Sequence, residues 1–139
     1  MMRVGYKVVR RVDGRYLSLS VVGAWEVEYR VGEWVYGVEV GGRRTALFVW
    51  EDWGRALADV RYGTCLWRCE YEPWDIRVPL AGDRLWLPPT RCREMEEYWK
   101  YVLAGDVGQA LLRAPGFGPR GVVMAARVRL VELVWMPEW

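Results

Sequence analysis

Histidine is absent from this sequence, and so is asparagine; lysine occurs only at Lys7 and Lys100, and glutamine only at Gln109. Without an imidazole the chain cannot assemble a Ser-His-Asp or Cys-His nucleophile, nor a histidine-zinc site. Cysteine is scarce: Cys65, Cys69 and Cys92 cannot all pair with one another, and their spacing is neither a zinc ligand set nor a thioredoxin-type pair. That usage fits a reducing compartment. Long apolar runs are missing too. Val122 to Ala126 and Val131 to Met136 are the longest nearly apolar stretches, far short of the roughly 20 residues that cross a bilayer. The opening Met-Met-Arg-Val-Gly-Tyr-Lys enters strand-like alternation with no charged region, apolar stretch and small-residue cleavage site. The expectation is a cytoplasmic protein that is not exported and has no membrane partner.

What is present fits one domain. A length of 139 residues, 53% of them apolar and 27% charged, allows a continuous core without disulfides or metal. The net charge of +2 argues against a phosphate track for extended nucleic acid. Eighteen of the twenty cationic side chains are arginine. A GC-rich genome from a hot habitat would produce that bias. So would recognition of phosphate or carboxylate, which the planar guanidinium grips with two parallel hydrogen bonds while stacking on rings.

Along the chain, Val4 to Val12 and Tyr16 to Val22 alternate around Asp13-Gly14, a two-residue hairpin signal. Trp25 to Val31 places Trp25, Val27, Tyr29 and Val31 on one face and Glu26, Glu28 and Arg30 on the other, as a half-solvated antiparallel strand does. Trp34 to Val40 follows suit, Gly41-Gly42 turns the chain, and Thr45 to Trp50 reads as a buried strand. Glu51-Asp52 begins a short helix with Trp53, Ala56, Leu57 and Val60 at helical spacing. Thr64 to Glu72 returns to strand, with Cys65, Trp67, Cys69 and Tyr71 on one face, and Pro73 ends it. Residues 73–120 have the texture of an insertion between core strands. They hold short strand candidates at Ile76 to Leu80 and Leu85 to Leu87, a helix from Thr90 to about Leu103, another over Asp106 to Arg113, and a connecting Gly/Pro loop from Ala114 to Gly121. Met95, Tyr98, Trp99 and Val102 form the apolar stripe of the longer helix. Val122 to Trp135 is a closing strand, long enough to bend or to join two sheets. The fold class expected is α+β: a mainly antiparallel twisted sheet, as a sandwich or partly open barrel, with two or three short helices.

The stretches G-Y-K-V-V-R-R-V-D-G-R-Y-L-S-L, V-E-Y-R-V-G-E-W, L-F-V-W-E-D-W-G-R-A-L-A, L-W-R-C-E-Y-E and A-R-V-R-L-V-E-L resemble a family of short uncharacterised proteins encoded by bacteriophages and prokaryotes. The resemblance covers residues 4–72 and 122–134 and leaves out 73–120. It implies one domain and a phage-like origin, and it carries over no catalytic residue. A looser likeness, at the level of fold, is to NAD-binding folds of the ADP-ribosyltransferase type. It would place a first-strand cation at Lys7, Arg10 or Arg11.

Chemistry-bearing candidates are few. The hydroxyls Ser18, Ser20, Thr45, Thr64 and Thr90 lie in no nucleophile-elbow sequence. Cys65 and Cys69 read as core residues, and Cys92 stands near a helix start. The acid pairs Glu26/Glu28 and Glu70/Glu72 sit at alternate strand positions and so share a face, which suits a solvated edge better than a paired-acid cleft. The acids, including Glu51/Asp52 and Glu94/Glu97, offer no octahedral set, so neither a metal nor a cofactor is expected.

Ten tryptophans and eight tyrosines exceed what a core of this size satisfies internally. Interleaved with arginine, they suit a ligand with flat rings and anionic groups. The candidate ligand-binding residues are Arg10, Ser18, Trp50, Trp53, Arg55, Arg84, Trp86, Arg91 and Arg120. The resulting expectation is a non-catalytic, phage-encoded binding protein that sequesters a nucleotide-like host immune signal, as a homo-oligomer of two or more copies. The alternatives are an interaction module or inhibitor of a host protein, and an NAD-type transferase or hydrolase.

Overall fold

A computed structural model describes residues 2–19, 25–74, 80–81, 84–87, 92–114 and 116–137, with backbone alone at 80–81, 84–87, 92–93 and 116–117. The chain opens with a hairpin of β1 (Arg3–Val12) and β2 (Arg15–Leu17). Asp13 at φ 50° and Gly14 at φ 76° make the primed turn whose twist matches paired strands, and Val12 pairs with Arg15. β2 then pairs with β3 (Glu28–Tyr29). Strand structure within Trp25 to Val31 is therefore limited to two residues, because the three-residue β2 offers no longer partner. β4 (Val35–Tyr36) is followed by a second hairpin, β5 (Glu39–Val40) and β6 (Arg43–Arg44), turned by Gly41-Gly42.

β7 (Leu47–Trp50) leads into α1 (Trp53–Ala56), where the Asp52 carboxylate accepts from the Gly54 N–H, and then into a 3-10 turn over Leu57–Asp59. β8 (Thr64–Pro73) is the long central strand. Beyond it come β9 (Leu80–Ala81), β10 (Arg84–Leu87), α2 (Cys92–Leu103), α3 (Val107–Leu111), β11 (Gly116–Phe117) and β12 (Val122–Trp135). The 114–121 connection thus contains a short strand, paired with β10. Most of the Ile76 to Leu80 strand candidate, and Thr90, lie outside the described residues.

The sheet closes on itself. β1 pairs with β8 from Arg3 to Arg10 and touches β7 at Tyr6↔Trp50; β12 pairs with β7 from Val122 to Ala125 and then with β8 as far as Trp135. Each of these four antiparallel strands thus neighbours two of the others, while β2, β3 and β4 widen the sheet beyond them. Three register shifts along β12 supply the bends that let one strand serve two neighbours. The ring is narrow. A Cβ added to Gly5 would meet Val49 Cγ1 at 2.4 Å, so only glycine lets β1 and β7 approach there.

Alternation sorts the side chains into two cores, with the parity of β12 reversed at the register shift after Ala125. Val9, Val49, Cys65, Trp67, Cys69, Tyr71, Val128 and Leu130 fill the inside of the ring together with Tyr29. Val8, Trp50, Leu66, Val122 and Met124 face outward and are covered by Met95, Tyr98, Trp99 and Val102 of α2. The helix stripe is core packing, and residues 92–103 complete the fold that the strands begin. Among the described residues, no helix is long and apolar enough to cross a membrane.

Candidate functional site

On one edge β1 touches β7 at Tyr6 and joins β2 at Arg10. Between those points, where the strands part, a cavity of about 400 Å³ opens. It reaches both cores, because its walls include Tyr29, Leu47 and Val49 from the inner one and Val8, Trp50 and Trp99 from the outer. Trp25, Phe48 and Met95 complete a largely apolar and aromatic lining.

Lys7 enters this cavity through strand parity. It falls on the same side of β1 as Gly5 and Val9, the side that faces the ring interior. Its Nζ donates to the Phe48 carbonyl at 2.5 Å and stands 5.4 Å from the centroid of the Tyr29 ring. Among the described residues no carboxylate lies within 4.0 Å of it. Burial therefore lowers the Lys7 ammonium from 10.5 to about 8, against a smaller upward pull from Cys69. Burial also raises the two acids that face it. The Cys69 thiol is pushed up to about 12 and the Tyr29 phenol well above its ordinary value. At neutral pH the cavity wall thus carries the Lys7 cation beside a neutral Tyr29 phenol, with the neutral Cys69 thiol buried in the inner core behind them.

Next to the cavity is a second recess of about 530 Å³, lined by Arg10, Arg11, Arg61, Tyr62 and Thr64, and the two share Leu19 and Asp59 as walls. The Arg10 guanidinium donates through Nε to the Ser18 carbonyl at 2.6 Å and is ion-paired with Glu26. Arg11 and Arg61 are exposed and have no carboxylate within 4.0 Å among the described residues.

Of the residues singled out in the sequence, Ser18 and Trp50 line the cavity and Arg10 lines the recess. The Ser18 hydroxyl donates to the Val27 carbonyl and accepts from its N–H, so it serves to fix the strand entering β3. Trp53 is 52% exposed on α1, and Arg55 lies against Gly121; neither lines the cavity. Arg120 is exposed beside Pro119, itself a cavity residue. Arg84 and Trp86 lie on β10 with side chains outside the described residues, and Arg91 lies wholly outside them.

Trp25, Asp59 and Trp99 are outside that set, and Lys7 enters the sequence reading only as a first-strand cation of the NAD-binding likeness. Lys7 had a readable signal: one of only two lysines, at an inward-facing strand position.

Elsewhere arginine and tryptophan meet for a structural purpose. Arg127 and Arg129 of β12 pair with Glu72 and Glu70 of β8, each at 2.5 Å, and both guanidinium groups stack on Trp34, at 4.0 and 4.5 Å from the ring centroid. Arg127 accordingly holds the Glu72 carboxyl below its ordinary value. Glu28 is likewise held low by its pairing with Arg15. The alternate-position acids are therefore committed to ion pairs on the wet face. Cys65 and Cys69 are fully buried free thiols. Among the described residues, no group of three or more histidines, cysteines or acids is placed to hold a metal ion. Compared with family models, curated proteins and solved structures, the chain matches none.

Proposed function

We propose that the protein binds, without transforming it, a small molecule in which a flat ring is joined to an anionic group, as in a nucleotide. The observation that carries this reading is the adjacency of an aromatic cavity and an arginine recess, which share Leu19 and Asp59 as walls. A ring would lie among Trp25, Trp50 and Trp99, and an anion would meet Arg11 and Arg61, the recess cations with no carboxylate within 4.0 Å among the described residues. Asp59 lines both spaces, and a carboxylate there suits the hydroxyls of a linking sugar. The cavity volume falls within the usual range of small-ligand sites. Stacking contributes about 1–3 kcal/mol per base, and each charge-assisted hydrogen bond about 1.5–3 kcal/mol, so a few contacts give firm binding.

The test is mass spectrometry of small molecules released by heat from the purified protein, followed by calorimetric titration of the compound found. Arg61→Ala is expected to weaken binding about tenfold or more, as the loss of one such hydrogen bond implies. A chain that releases no anionic ring compound, and binds none of the common nucleotides, does not have this function.

A second reading, an interaction surface for another copy of the chain, has its own observation. Val131, Leu133, Val134 and Trp135 at the end of β12 are 39–53% exposed. Sedimentation of the parent and of Trp135→Glu decides it: a monomeric parent removes the reading.

A further inference from the structure

We propose that Lys7 is a covalent capture point at which the cavity takes up small aromatic aldehydes as imines. The inference uses the cavity just described but does not rest on the arginine recess or on a nucleotide ligand.

Three observations meet at one atom. Lys7 lines a cavity large enough for a ring, with Trp25, Trp50 and Phe48 among its other walls. Among the described residues its one hydrogen-bond acceptor is neutral, the Phe48 carbonyl. Its neighbours Tyr29 and Cys69 remain protonated through neutral pH, and Asp59, the acid on the cavity wall, is not within ion-pair distance. An ammonium so placed gives up its proton to solvent more readily than an exposed one.

The neutral amine keeps one N–H on Phe48 and gains a lone pair. That lone pair attacks the aldehyde carbon, the carbonyl π electrons move to oxygen, and one amine proton passes to that oxygen. Loss of the second amine proton and departure of the oxygen as water then leave the C=N bond. No oxidant or reductant is consumed, and water reverses the reaction. Apolar walls favour the ring and limit the water that would hydrolyse the product. A flat aryl aldehyde fits better than an aliphatic one, because stacking adds to the weak covalent bond.

The scarcity of lysine makes the experiment clean. Lys100, exposed on α2, is the other lysine side chain and so an internal standard. The native protein is treated at pH 8 with benzaldehyde and cyanoborohydride, which reduces the imine to a stable benzylamine, and the rate at each lysine is read by peptide mass spectrometry. Lys7 is expected to react about tenfold faster than Lys100, since a larger fraction of it is unprotonated. The preference should vanish when the chain is unfolded in guanidinium chloride. Equal or slower labelling of Lys7 in the native protein overturns the proposal. Because benzaldehyde carries no charge, Arg61→Ala should leave the preference intact while weakening any nucleotide. Failure of nucleotide binding with Lys7 still labelled sinks only the earlier reading; failure of labelling with nucleotide still bound sinks only this one.

Discussion

Of the places where a cation meets an aromatic ring, the Trp34 face and the cavity follow opposite electrostatic logic. On the wet face, Arg127 and Arg129 cover Trp34 with a glutamate paired to each. In the cavity, Lys7 stands over Tyr29 with, among the described residues, no carboxylate within 4.0 Å and one carbonyl to hold it. The first arrangement returns to each guanidinium the counter-charge that partial burial weakens. The second leaves the cost of desolvation standing. A ladder of matched charges is what a β8–β12 seam needs for register. An unmatched cation in a hollow is what folding alone would discard, and its presence points to use.

The aromatic members of the two regions differ as sharply, and exchanging each for alanine gives the largest effect. Trp99 is 3% exposed and packs edge-on to Tyr98 and Trp74, with ring centroids 5.2 and 5.6 Å away, while it forms a wall of the cavity. Trp99→Ala is expected to cost about 3–5 kcal/mol, the usual penalty for a buried aromatic, and to abolish ligand uptake. Trp34→Ala removes only a half-buried ring beneath two arginines and is expected to cost about 1–2 kcal/mol. Urea unfolding of both variants measures the difference. Equal losses would mean that the two rings are equivalent structural elements.

Lys7→Met comes next and should act in the opposite direction. The lysine is lowered from 10.5 to about 8 on folding. Between those values the unfolded chain holds the extra proton, so the Lys7 contribution to stability improves as pH rises through that window. Below pH 8 the ammonium is charged in both states and its burial cost is fully present. Removing it should therefore stabilise the protein at pH 7, by at most on the order of 3 kcal/mol, and the advantage should fade by about pH 10.5. Cys69 and Tyr29, protonated further into alkali when folded, push stability down over part of the same range. Comparing variant with parent at each pH largely cancels them. A destabilised Lys7→Met at pH 7 would show the ammonium to be a structural asset and would undo the contrast.

The sequence announced much of the sheet and little of the ring. Asp13-Gly14 and Gly41-Gly42 are turn chemistry, readable without a partner. The parity of Cys65, Trp67, Cys69 and Tyr71 and the stripe of Met95, Tyr98, Trp99 and Val102 named both cores. Alternation, however, tells which face a residue takes and not which strand lies beside it. Closure through β1, β8, β12 and β7 depends on pairings such as Arg129↔Glu70, made across a long stretch of chain. The same blindness affected the site. Arginine and tryptophan adjacent in sequence, as at Trp53 and Arg55, drew attention to α1, which does not line the cavity. Trp25, Trp50 and Trp99 come from three distant segments and meet only after folding. Lys7 is legible by parity and as a first-strand cation, but sequence alone does not separate it from Arg10 and Arg11.

The smallest effect belongs to the ladder. Arg129→Met removes one pairing, with Glu70, and one of the two stacks on Trp34. An ion pair of this exposure contributes about 0.2–1 kcal/mol, and the stack adds about 0.5–1, so a destabilisation of about 1 kcal/mol is expected at pH 7. Glu70 loses its partner but remains open enough to be hydrated, which keeps the penalty small. Salt should mark this pair as a surface one: in 1 M sodium chloride the difference between parent and variant is expected to shrink, because screening acts on charges that water reaches. The Lys7→Met difference, arising from desolvation, should change far less in the same salt. If both respond alike, the two cations sit in similar surroundings and the cavity loses its electrostatic distinction.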